Sequence, residues 1–279
     1  MKKLLLLFFL SCFNTLLADE KNIDTQSPYL KLIERSDSAV KAEDYSAALD
    51  FINEALRLEP ANPSNILLLS NAGMLQYYLG EDSLALETLN TAHAIAPVSV
   101  TILSNRAKVL NAMGETARAL ADYITITRLD STWVDAWRQK ALLQLGGGDI
   151  RGAEKSVAKV LELEPETTES WLTAGIFYSS TGKPAEAIPF FSKLLKKEKL
   201  PEYYSARAMC RILVDDLGGA SEDIADGLEL NRYDSELLLA RALLNKRRFR
   251  EKDAEADAVK AIEAGADPKR VKLLMGTKF

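Results

Sequence analysis

Two cysteines and one histidine are all that 279 residues offer toward thiol or imidazole chemistry. Cys12 and Cys210 make at most one pair, which excludes a disulfide-stapled scaffold, and a single imidazole leaves little for a transition-metal site. Glycine and proline are scarce as well, at 14 and 9. That is too few for a linker-rich chain or an all-β one dense in tight turns. Basic charge is in deficit, with 35 Lys and Arg against 40 Asp and Glu and a net charge of −5. A phosphate binder carries a basic face, so no nucleic-acid partner is expected. What remains is 47% hydrophobic and 27% charged, the make-up of an ordinary globular protein.

Residues 1–18 read as a targeting segment. Lys2 and Lys3 precede an apolar run over 4–17, interrupted by Ser11, Cys12, Asn14 and Thr15, and Ala18 stands before Asp19 and Glu20. Basic, apolar and small-residue regions in that order make a secretory signal. The run falls short of the about 20 apolar residues that a membrane span needs. Cleavage after Ala18 would send the chain across the inner membrane, to the periplasm, with a mature charge of 33 − 40 = −7. Alternatively, Phe9-Leu10-Ser11-Cys12 forms a loose lipobox, with Cys12 lipidated and the product a membrane lipoprotein. An uncleaved anchor is the third outcome. Residues 19–28 read as a polar linker, and Cys210 as a small buried hydrophobe.

A repeat fills the rest. Frames start at Tyr29, Ile66, Val100, Val134, Thr168, Pro201 and Ser235, with spacings of 37, 34, 34, 34, 33 and 34. They cover 29–62, 66–99, 100–133, 134–167, 168–200, 201–234 and 235–268. The eighth place holds Ser36, Gly73, Ala107, Ala141, Gly175, Ala208 and Ala242, all small. The twentieth holds Ala48, Ala85, Ala119, Ala153, Ala187, Ala220 and Ala254. Each frame predicts two amphipathic helices of roughly 13–15 residues around a short turn, as at Gly80 and Gly114. Small residues let the paired backbones approach, and Leu69, Trp137, Trp171 and Tyr204 fill the rest of the seam. Pro60, Pro97 and Pro165 end second helices, while Pro189 falls inside one and should bend it. No strand-like alternation survives, so the expected fold class is all-α.

The fourth frame, with Trp137, Ala141, Gly148, Ala153 and Pro165, resembles the tetratricopeptide repeat (TPR). So does the fifth, with Trp171, Gly175, Tyr178, Gly182, Ala187 and Phe191. The resemblance extends over 29–268 and implies a right-handed α-α superhelix, a solenoid of about seven helix-turn-helix repeats. Ser131, Lys199, Arg232 and Ala266 depart from the usual proline, and the first frame lacks the turn glycine. Residues 269–279 are expected to form a short capping helix and tail.

Catalytic signals are weak. His93 has no Ser or Cys nucleophile spaced to use it. Gly146-Gly147-Gly148 and Gly182-Lys183 miss the GxxxxGK[ST] spacing and read as turns. Asp215-Asp216 and Asp253 with Glu255 suit helix starts, and Lys246, Arg247, Arg248, Arg250 and Lys252 suit a solvated turn. No catalytic residue, metal or cofactor is assigned.

The resemblance implies that first helices line a concave groove, with the sixth place of each frame pointing into it. Asn71, Asn105, Gln139 and Thr173 stand there as a polar ladder, flanked by Ser70, Ser104 and Arg138. Lys108 and Asn111 lie one turn on, and Tyr77 and Tyr78 offer flat contact area. Amides carry both donor and acceptor, which suits the backbone of an extended peptide. The expectation is a non-enzymatic protein- or peptide-binding scaffold outside the cytoplasm. The alternative is a lipid-anchored structural subunit of an envelope assembly that binds through its outer surface.

Overall fold

The computed structural model describes residues 27–276. The targeting segment, Cys12 with its lipidation, and the linker up to residue 26 lie outside the described residues.

Two compact units divide the chain, Met1–Gly114 and Glu115–Phe279. The first contains α1 (Pro28–Lys41), α2 (Tyr45–Leu58), α3 (Asn65–Tyr78), α4 (Asp82–Ile95) and α5 (Val100–Ala112). Each helix packs on the next, and α3 also packs on α5. The second unit opens with α6 (Thr116–Leu129), α7 (Val134–Gly146), α8 (Ile150–Leu163), α9 (Thr168–Ser180) and α10 (Pro184–Lys197). It continues with α11 (Pro201–Leu213), α12 (Leu217–Leu230), α13 (Ser235–Arg247), α14 (Glu251–Glu263) and α15 (Pro268–Met275). Here too neighbours pack in order, and α7 touches α9, α11 touches α13, and α13 touches α15. Among the described residues there is no strand. The fold class is all-α, built from helix-turn-helix repeats.

Local chemistry sets the helix ends. Asp44, Asp149 and Asp216 each accept a backbone N–H three residues on, from Ala47, Gly152 and Gly219, capping α2, α8 and α12. Such a cap is worth about 0.5–2 kcal/mol. The fifteenth place of every frame is left-handed: Glu43, Gly80, Gly114, Gly148, Gly182, Asp215 and Phe249 all have φ between 57° and 85°. That single residue stops a first helix and turns the chain, so glycine serves best there. α10 runs on through Pro189, which is exposed.

The twentieth-place alanines Ala48, Ala85, Ala119, Ala153, Ala187, Ala220 and Ala254 are all at 0% exposure. Within a unit several of them meet the eighth-place residue, as Ala153 clusters with Ala141 and Ala220 with Ala208. Ser36 Oγ donates to the Ala48 carbonyl at 3.0 Å. A Cβ on Gly73 would stand 3.2 Å from the Ala85 carbonyl and 2.6 Å from Leu89 Cγ. One on Gly175 would press on the Phe191 ring at 3.0 Å. Backbones this close leave no room for a larger side chain. Fourth-place indoles close the loops, with Trp137 Nε1 donating to Ser131 O at 3.0 Å and Trp171 Nε1 to Pro165 O at 2.8 Å.

Charge also joins helix pairs in the second unit. Arg207 grips Asp223 through Nε at 3.0 Å and Nη2 at 2.5 Å, and Arg211 adds a contact at 3.0 Å. Asp223 is 1% exposed. One repeat later, Arg241 holds Asp257 at 2.9 and 2.6 Å, and the Asn245 amide donates to the same carboxylate at 2.9 Å.

Candidate functional site

In the first unit, α3 and α5 carry Asn71 and Asn105 on adjacent first helices. Asn71 is half-buried and lines a shallow cleft with Ile33, Asp37, Val40, Ile52 and Leu68. Asp37 at its rim pairs with Lys41 at 2.6 Å. Asn105 is turned toward its neighbour, and its Nδ2 donates to Ser70 Oγ at 3.0 Å. Ser70 is fully buried and Ser104 nearly so. Both belong to the seam between helices and present nothing to a groove, which corrects the sequence expectation. The cause is the helical period, since the place before a half-buried one turns back toward the neighbouring helix.

Tyr78 stacks on Tyr45 at the start of α2, with ring centroids 5.2 Å apart, and Tyr77 leans on Tyr78 at 5.8 Å. Burial raises the Tyr78 hydroxyl above its ordinary range, helped by Tyr45 and Tyr77. Tyr78 therefore works in a helix seam as much as at any surface. Lys108 is half-buried and Asn111 exposed on the same helix as Asn105.

In the second unit, Gln139 on α7 is half-buried, and Arg138 beside it pairs with Asp135 at 2.6 Å. Lys140 on the same helix lies over the Trp137 ring at 4.2 Å. Burial lowers its ammonium below the ordinary lysine range, and Arg128 adds repulsion. Thr173 on α9 is 4% exposed, and its hydroxyl donates to the Glu169 carbonyl at 2.7 Å. That local bond closes the fourth rung of the ladder, a second correction: Thr bonds the turn before it more readily than it faces outward. The open amides are Asn71 in one unit and Gln139 in the other.

Residues read as bystanders hold the second unit together. Lys246 donates to the carbonyls of Leu274 and Met275, Arg247 pairs with Asp215 at 2.7 Å, and Arg248 donates to Leu217 O at 2.8 Å. The turn is therefore only partly solvated. Among the described residues no group of three His, Cys, Asp or Glu side chains is placed to hold a metal ion. None of the described helices is long and apolar enough to cross a membrane.

Residues 138–203 match the family model for the tetratricopeptide repeat. No curated protein matches the sequence. Among solved structures, a tetratricopeptide repeat protein from Parabacteroides merdae ATCC 43184 is similar at 27% identity and a TM-score of 0.70, over 88% of this chain and 97% of that one. YrrB, a TPR protein with an unusual peptide-binding site, is similar at 19% identity and a TM-score of 0.53, over 68% of this chain and 98% of its own. PilW, a type IV pilus biogenesis factor, is similar at 20% identity and a TM-score of 0.65, over 76% and 98%. The family match lies within the second unit, and these structures share the helical repeat described above.

Proposed function

We propose that the chain is a non-catalytic scaffold that binds a protein or an extended peptide on its first helices, after export from the cytoplasm. The observation that carries this reading is Asn71, a half-buried amide at the edge of an apolar cleft. Its donor and acceptor suit a peptide backbone, while Ile33, Val40 and Leu68 suit an apolar side chain. Gln139 offers the same pairing in the second unit. The peptide-binding site of YrrB and the description of PilW as a pilus biogenesis factor support a scaffold reading by likeness of fold. The basic-apolar-small order of residues 1–18 supports export.

The test is calorimetry of a partner that co-purifies from the native host, against wild type and the Asn71→Ala/Gln139→Ala variant. Each lost net hydrogen bond is worth about 0.5–1.5 kcal/mol, so affinity should fall by roughly one to two orders of magnitude. Equal affinities, with both proteins folded, would move binding to the outer surface and favour the envelope-subunit reading. The mass of the mature N-terminus separates cleavage after Ala18 from lipidation at Cys12.

A further inference from the structure

Phe249 stands in the turn between α13 and α14 with φ 57° and 90% of its surface exposed. It fills the place where four other frames carry Gly80, Gly114, Gly148 and Gly182 and two carry Glu43 and Asp215. A left-handed backbone is unfavourable for a residue with a bulky side chain, and water is unfavourable for a bare aromatic ring. Neither the turn nor the core gains from phenylalanine here. Strain combined with exposure points to something outside the folded chain.

The surroundings say what kind of thing. Residues 246–252 hold five cations and one anion, Glu251, for a net of 5 − 1 = +4 in an acidic protein. Arg250 and Lys252 are exposed and form no ion pair among the described residues. Arg247 reaches across to Asp215, and Arg248 to the Leu217 carbonyl, so the α11–α12 turn lies alongside. That turn exposes Leu213 at 62%. Its acids are already matched, Asp215 by Arg247 and Asp216 by Arg211 at 3.4 Å.

We propose that this edge of the second unit docks on an anionic phospholipid surface. The Phe249 ring, seconded by Leu213, enters the interface, and Arg250 and Lys252 meet headgroup phosphates. A bare phenyl ring buries at the boundary of headgroups and acyl chains, and a guanidinium pairs with phosphate oxygens in a planar fork. Stable attachment takes two signals, an apolar one and a basic one, and both meet in this turn. A ring standing free at a tip suits a medium that yields around it, whereas a protein partner must supply a matching acidic pocket. The residues named here are not Asn71 or Gln139, so either proposal can fail alone.

The test is flotation of the full chain with vesicles of phosphatidylcholine, alone or with about one third phosphatidylglycerol. The apolar run over 4–17 is common to every variant, so the comparison rests on differences between variants. Wild type should partition onto the anionic vesicles more than the neutral ones, and less as salt rises. Phe249→Gly should weaken that partition about tenfold while its melting temperature stays level or rises, because glycine accepts the left-handed turn. Arg250→Glu/Lys252→Glu should weaken it too. Equal wild-type partition onto both vesicles, or a Phe249→Gly variant that binds like wild type, overturns the proposal. A failure to bind vesicles, with Phe249→Gly losing a protein partner that wild type retains, assigns the tip to a protein and overturns it as well.

Discussion

The side-chain amide of Asn105 donates to the hydroxyl of Ser70 across 3.0 Å, joining α5 to α3. Ser70 has no exposure to water, so its oxygen depends on partners within the chain. Asn105→Ala should therefore destabilise by about 0.5–1.5 kcal/mol, more than an alanine on an open helix face would. In the Ser70→Ala background the same change should cost less, since no buried oxygen is left without its donor. A double-mutant cycle read by urea denaturation checks this, and a coupling energy of zero would contradict it.

Ala153 on α8 is fully buried against Ala141, Val157, Ala174 and Phe177. Ala153→Leu adds a branched side chain where paired backbones already approach closely. It should overpack the seam and lower stability by about 1–3 kcal/mol. Thermal unfolding followed by circular dichroism measures it, and an unchanged midpoint would mean that this seam has slack.

What sequence could reveal here was whatever is fixed by steric need. Alanine at the twentieth place of every frame marks a backbone approach that admits nothing larger, and glycine at four of the fifteenth places marks a left-handed turn. The burial of Ser70 and the back-bonded Thr173 were not legible, because both turn on where a short hydroxyl finds its partner, Ser70 accepting from an amide and Thr173 donating to a carbonyl. Polarity alone does not choose between a groove and a neighbouring carbonyl. The Arg207–Asp223 and Arg241–Asp257 pairs could have been found. Each places Arg at the seventh and Asp at the twenty-third position of its frame, a spacing that comparing small residues alone passes over.

Those pairs make a sharp contrast with the ion pair of Arg270 and Glu236, whose side chains are 46% and 40% exposed. Asp223→Ala removes the buried carboxylate that Arg207 and Arg211 share, leaving them Ser192, the Gly219 carbonyl and Asp216, and should cost about 1.5–3 kcal/mol. Glu236→Ala releases Arg270 to solvent and should cost about 0–1 kcal/mol, shrinking as salt rises. Urea denaturation of both variants at low and high salt tests the contrast. Similar losses for the two would mean that burial of Asp223 counts for little.

Burial pushes the Cys210 thiol up, from its ordinary 9.0 to about 11. The thiol packs among Trp171, Ala187, Phe191 and Leu194, where a thiolate would lose its hydration. Below pH 9 the folded and unfolded chains both keep this proton, so the group adds no pH dependence. Between pH 9 and about 11 the unfolded chain releases the proton and the folded chain retains it. The folded state then binds more protons, and stability falls as pH rises. Wild type should accordingly lose stability more steeply over that window than Cys210→Ala does. The variant starts lower because it lacks a packed sulfur, so the slopes are compared and not the midpoints. Urea denaturation at half-unit pH steps reads them, and parallel slopes would show that this thiol ionises freely in the folded chain.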